Sequence, residues 1–271
     1  MKRCFLAFSI AVLVVLAGRA PAAAVLRVVA SIPDLADVAR HIGGDLVEVQ
    51  SLSTGVEDIH AVPMKPLYAV TLNRADVLLV LGLEAEHAFI PGLLEAARNP
   101  KIMRDGPGYI DCSVYVRPLE IPTRIDRSLG DQHPMGNPHY NLDPVRMKDA
   151  ARAIAEGLAK NDPAHEATYK QNLAAYLVTL DAAIARWQQE AAPLKGKKLV
   201  SYHPDMIYFA AVNNSCPGDA IATPLPSISI TAAGLALGPY PSLGLPSSPI
   251  LSTLQRIPRV TRSRYTSLLT T

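Results

Sequence analysis

Imidazole is the side chain in this sequence best suited to chemistry near neutral pH, because its neutral form offers a lone pair to a proton or a metal ion. The chain has seven histidines: His41, His60, His87, His133, His139, His165 and His203. Three of them fall in loops where strands are expected to end or helices to begin. His60 lies in Glu57-Asp58-Ile59-His60-Ala61-Val62-Pro63, His139 in Asn137-Pro138-His139-Tyr140-Asn141-Leu142-Asp143-Pro144, and His203 in Ser201-Tyr202-His203-Pro204-Asp205. Three imidazoles converging at strand ends would suit Zn²⁺, which takes nitrogen ligands at about 2.0–2.1 Å in a tetrahedron. The spacing alone does not require this. The gaps are long, no His-Glu-x-x-His motif is present, and a single loop histidine reads more readily as a solvated or hydrogen-bonded group.

His133 is a separate case, on a Gly/Pro-rich loop six residues before His139. It is placed either to capture and relay an ion or to be an ordinary loop residue. His41, at a helix end, and His87 and His165 read as structural or solvated. Asp58 and Asp143 are placed by proximity to orient histidine rings. Met64 and Met135 hint at copper, although a lone methionine near a loop is more often packing. Three histidines plus water is also a catalytic zinc pattern. A hydrolase would need more, and the sequence has no Gly-x-Ser-x-Gly elbow and no paired carboxylates on one element.

The elements that must position these residues follow from hydrophobic periodicity. Strands are expected at Leu26–Ser31, Val47–Leu52 and Val77–Leu81, with a fourth within Lys101–Ser113. Helices are expected from Pro33 to the Gly43-Gly44 pair, near Leu67–Asn73, at Phe89–Ala97 and at Val145–Lys160. Ala164–Ala192 has no internal Pro or Gly and is expected as one long helix of roughly 40 Å. Strands alternating with helices imply an α/β fold with a parallel sheet covered on both faces. In such sheets ligands bind beyond the carboxyl ends of the strands. A new strand is expected at Lys197–Tyr202.

At 271 residues with 18% charged and 49% hydrophobic residues, the chain can build a large core, and a net charge of +2 argues against nucleic acid as a partner. Lys2 and Arg3, the apolar run Phe5–Ala17 and the small residues Ala20–Ala24 form a secretory signal layout. The run is shorter than the roughly 20 residues of a membrane span, so residues 1–24 are expected to be a cleaved signal peptide. No transmembrane segment is expected in the mature chain. Cys112 and Cys216 lack the spacing of a zinc-thiolate site and are read as structural or incidental. From Ala211 onward there is no Lys, Glu or His, and Asp219 is the only acidic residue. That segment is expected to be either a Pro/Ser-rich tail or the product of a frameshift.

Taken together, several pieces resemble the solute-binding proteins of zinc and manganese ABC importers. They are the Asp58-Ile59-His60 loop with Pro63 and Pro66, Arg74-Ala75-Asp76 before an apolar strand, the Asn137–Pro144 stretch, the long helix ending near Trp187, and Tyr202-His203-Pro204-Asp205. They occur in family order over about residues 26–209. The resemblance implies two parallel-sheet lobes joined by a long rigid helix: residues 25–162, 163–193, and a second, incomplete lobe with its tail at 194–271. It implies that His60, His139 and His203 ligate the metal and that little domain closure accompanies binding; three nitrogen ligands put Zn²⁺ ahead of Mn²⁺, which prefers more oxygen. It also implies a periplasmic, monomeric, non-enzymatic protein that docks on an ABC permease. The family's fourth ligand would come from the altered tail. A periplasmic zinc hydrolase, a metal-binding adhesin or buffer, and a non-functional truncated relative are the other readings.

Overall fold

The computed structural model describes residues 25–125, 132–195 and 203–214. The expected signal peptide, the expected strand at 197–202, Cys216, Asp219 and the tail beyond 214 lie outside the described residues. Strand β1 (Leu26–Ala30) leads into helix α1 (Pro33–Gly43) and strand β2 (Val47–Ser51). Pro33 supplies the fixed φ of a first helical turn, and Gly44, at φ 54°, ends the helix where a side chain would be strained. Helix α2 (Pro66–Asn73), strand β3 (Val77–Val80), helix α3 (Ile90–Ala97) and strand β4 (Tyr109–Asp111) follow. Helices α4 (Pro144–Asn161) and α5 (Glu166–Ala191) complete the layer, and a short helix α6 (Ile207–Asn214) packs on it. The boundaries match the periodicity reading to within a few residues. The one shift of substance is that α6 carries helical structure past Ala211, where the composition changes.

The four strands are all parallel, in the order β2-β1-β3-β4. Alternate residues feed opposite faces, as the two-residue period of a strand dictates. Val28, Ala30, Val77 and Leu79 join a core built with α1, α4 and α5, while Val29, Leu78 and Val80 join one built with α2 and α3. Because β1 and β3 are neighbours whose connections leave in opposite directions, a crevice opens at their carboxyl ends, where ligands bind in sheets of this kind. Asp76 closes the opposite end of the same strand pair. It accepts hydrogen bonds from the main chain and guanidinium of Arg27, at 3.1 Å each, and from Lys101 at 2.8 Å. Burial pushes this carboxyl up, but the hydrogen bonds from Arg27 and Lys101 outweigh it and hold it at about 2. The Arg74-Ala75-Asp76 motif is thus a strand clamp.

Helix α5 has 26 residues, about 39 Å at 1.5 Å per residue. Its buried residues are Tyr169, Leu180 and Ile184, and its N-terminal half is fastened to the sheet layer where Asn172 Nδ2 donates to Ile42 O at 2.9 Å. Leu79, fully buried on a central strand, should be a sensitive probe of this core. Leu79→Ala is expected to cost about 2–5 kcal/mol in urea unfolding. Val178→Ala, at an exposed position of α5, should change stability by no more than about 0.5 kcal/mol.

Candidate metal centre

The crevice is organised by the turn after β3. Gly82, Leu83 and Glu84 all adopt positive φ, at 82°, 52° and 63°. For the two non-glycine residues this costs roughly 1–2 kcal/mol each, so something must hold the turn. The buried Glu86 carboxylate does so by accepting from Leu81 N at 2.6 Å, Gly82 N at 3.3 Å and Ser31 Oγ, at the end of β1, at 2.5 Å. His87 is exposed, in keeping with its reading as a solvated residue, but Glu86 beside it is only 5% exposed. Burial outweighs these hydrogen bonds and pushes the Glu86 carboxyl up to about 7.

Two of the candidate histidines hang from this turn. His60 sits in a 3₁₀ turn, Ile59–Ala61, capped by Asp58, whose Oδ1 accepts from His60 N at 2.9 Å. Its ring Nδ1 lies 3.0 Å from Ala85 O. A carbonyl only accepts, so Nδ1 carries the proton and Nε2 presents a lone pair. His139 begins the 3₁₀ turn His139–Leu142, and the next residue, fully buried Tyr140, donates its hydroxyl to Leu81 O at 2.8 Å. His139 Nδ1 lies 2.9 Å from Asn137 Oδ1. Just before it, Gly136 has φ 98°, and a Cβ there would fall 2.8 Å from Pro118 Cβ and 2.9 Å from Leu119 O.

His203 arrives from the other side, ahead of α6. Tyr208 and Ile207 of that helix are buried in the core, and the Tyr208 hydroxyl donates to Asn137 O at 2.5 Å. The Arg146 guanidinium stacks over the Tyr208 ring, 4.6 Å from its centroid.

The three rings then converge. His60 Nε2 and His203 Nε2 each lie 3.1 Å from His139 Nε2, and one ligand atom from each residue fits within 4.8 Å of the others. Nitrogens held by one tetrahedral ion at 2.0–2.1 Å would be about 3.3 Å apart. The His60 and His139 rings stand edge to face, 84° apart, and both are tied at Nδ1 to oxygen acceptors. With both rings neutral, their Nε2 lone pairs face each other, an arrangement that a cation lying between them would relieve. A proton is a poor candidate at His139. Burial first, then the neighbouring His203, His60 and His133 rings, hold this imidazole neutral, its pKa lowered to about 2. Among the described residues, no carboxylate or thiolate joins the group.

The sequence expectations for the surroundings fare unevenly. His133 is not on an open loop: it is 7% exposed, its ring 4.6 Å from that of His60 and 6.2 Å from that of His139, outside the three-nitrogen group. Asp58 and Asp143 are both engaged at turns and helix ends. Asp58 caps the His60 turn, and Asp143 caps α4 by accepting from Val145 N and pairs with Arg146. The ring partners are Ala85 O and Asn137 Oδ1, which sequence reasoning missed. The Ala85 carbonyl has no sequence signal, while Asn137, two residues before a histidine, had a legible one. Met64 and Met135 are both exposed, at 59% and 57%, rather than packed. His41 and His165 bond local oxygens at Asp37 and Asp162, as expected of structural residues.

The family model described as the periplasmic component A of zinc-uptake complexes matches residues 28–214. The iron-binding protein YfeA of Yersinia pestis is 26% identical over 187 residues, covering 68% of this chain and 55% of its own. The high-affinity zinc uptake system protein ZnuA of Paracoccus denitrificans is 26% identical over 218 residues, covering 69% and 64%. The chain thus spans less than two thirds of the length of these relatives. A crystal structure of ZnuA superposes with a TM-score of 0.60 at 31% identity, covering 70% of this chain and 68% of that one. A zinc-bound deletion mutant of ZnuA gives 0.59 at 27%, covering 78% and 73%.

The pH dependence of stability should report the Glu86 carboxyl. Its proton is held more tightly in the folded chain than in the unfolded one. The stability it contributes is therefore complete below its ordinary value of 4.5 and is lost as pH rises toward 7. Urea unfolding of the metal-free chain should show a contribution from Glu86 of up to about 3 kcal/mol lost across this range, and Glu86→Gln should remove that share of the slope while leaving the share of Asp34, whose carboxyl burial raises to about 6. An unchanged slope in the variant would mean that Glu86 ionises as freely as it does in water.

Proposed function

The chain belongs to the family of periplasmic component A proteins of zinc-uptake complexes, and on that premise we propose that it captures Zn²⁺ outside the cytoplasm and passes it to the permease of an ABC importer. His60, His139 and His203 are the ligands in this reading. The observation that carries it is the convergence of three imidazoles, with His60 Nε2 and His203 Nε2 each 3.1 Å from His139 Nε2 and one ligand atom of each residue within 4.8 Å of the others.

The donor set argues for the metal. Three neutral nitrogens suit zinc, whereas manganese favours a larger share of oxygen ligands. Relatives divide on this point: one is named for iron, another for zinc uptake, and a Streptococcus gordonii relative for manganese. The described residues supply three ligands, one fewer than a closed structural site would. That suits a cargo that must be released. The family's members are substrate-binding transport proteins, and the proposal extends to the absence of catalysis. A hydrolytic zinc site needs a base beside the bound water, and among the described residues no carboxylate joins the three-nitrogen group. Secretion through a cleaved leader places the protein where an importer would meet it. No helix among the described residues is long and apolar enough to cross a membrane.

A chelator-competition titration of the full chain should give one zinc per chain. His60→Ala, His139→Ala and His203→Ala should each weaken binding by more than the roughly 10–100-fold typical of losing an outer-shell partner. Binding indifferent to His203→Ala would mean that the segment ahead of α6 supplies no ligand.

Acid should also weaken binding, because an imidazole must be unprotonated to ligate. His139 is held neutral in the metal-free chain down to about 2, so it adds no proton to that competition. The logarithm of the dissociation constant, measured between about pH 5 and 8, should fall with pH at a limiting slope no steeper than two. A slope of three would show that His139 protonates in the metal-free chain.

A further inference from the structure

Every polar group of Asn137 is engaged. Its main-chain N donates to Leu119 O at 2.8 Å, and its main-chain O accepts from Tyr208 Oη at 2.5 Å. Its side-chain Nδ2 donates to Pro204 O at 2.7 Å and to Glu120 Oε2 at 3.1 Å. Its Oδ1 accepts from His139 N at 3.0 Å and faces His139 Nδ1 at 2.9 Å. The residue is 4% exposed, so water has little part in this.

These contacts fix the orientation of the amide. A flipped Asn137 would set its oxygen against Pro204 O, which can only accept, and its NH₂ against His139 N–H, which can only donate. With Oδ1 locked toward the ring, His139 Nδ1 must carry the proton and Nε2 the lone pair. The same side chain holds the carbonyl of Pro204, the residue after His203. One buried amide therefore sets the protonation site of one imidazole and the approach of another.

Resting on the zinc-capture reading above, we infer that Asn137 is a positioning residue for the metal site. It holds His139 in the Nδ1–H tautomer and pins the His203 segment so that both Nε2 atoms face one point. Asn137 touches no ion itself and acts through the two histidines. A residue that merely stapled the loop would leave the tautomer indifferent to its chemistry.

The test is long-range ¹H–¹⁵N correlation spectroscopy of the histidine rings in the metal-free full chain, followed by zinc titration of the same samples. In the unmodified protein His139 should appear as the Nδ1–H tautomer. Asn137→Asp keeps an acceptor for Nδ1–H and should keep that tautomer, but it loses the donor to Pro204 O. In that background His203→Ala should cost less affinity than it does in the unmodified chain. Asn137→Ala loses both contacts, should release the tautomer, and should weaken zinc binding about 10–100-fold.

An Nε2–H His139 in the unmodified chain overturns the inference without need of any variant. So does an Asn137→Ala chain whose tautomer and zinc affinity are both unchanged. A chain with His139 in the Nδ1–H form that binds no zinc bears out the positioning and sinks the zinc-capture reading, so the two fail separately.

Discussion

The arrangement rests on one buried carboxylate. Glu86 gathers the main-chain N–H groups at the end of β3 and the hydroxyl at the end of β1, and so holds a turn whose left-handed residues would not form unaided. Everything that must be precise is hung on that turn. Ala85 O takes the His60 ring, and Leu81 O takes Tyr140, the neighbour of His139. Two imidazoles from segments nearly eighty residues apart are thereby referenced to a single stretch of five residues.

The electrostatics follow from the same packing. His139 is buried among other imidazoles, so charging it would cost desolvation and repulsion together. The protein keeps this ring neutral and turns its Nε2 lone pair toward the other two imidazoles. A dication there asks for no change of protonation at His139. Flanking carboxylates are spent elsewhere: Asp58 and Asp143 cap turns, and Asp76 clamps the far end of the sheet.

The fold was largely legible. Runs such as Val77–Val80 and the Pro33 and Gly44 boundaries of α1 are local signals, and they place strands and helices to within a few residues. The three histidines were legible as candidates because they sit in loops at the carboxyl ends of a parallel sheet. What the sequence hid was non-local. A glutamate between Ala85 and an exposed histidine looks solvated until the turn folds inward and buries it. His133 looks like a loop residue until it packs on the His60 ring. The choice of Ala85 O and Asn137 Oδ1 as ring partners, over the nearer-seeming Asp58 and Asp143, depends on where peptide groups point once the turns are made.

The docking of α6 bears on how long an ion would stay. Tyr208 reaches back across 89 residues to Leu119 N, and with Pro204 O and the buried Ile207 and Ala210 it makes, among the described residues, a local attachment to the core. Units of this size open far more readily than whole sheets do. If His203 leaves whenever α6 lifts, residence time becomes a property of one short helix's local unfolding, while equilibrium affinity stays with the geometry of the rings. Off-rate and affinity could then be altered by separate substitutions, the one on the inner face of α6 and the other around His60 and His139.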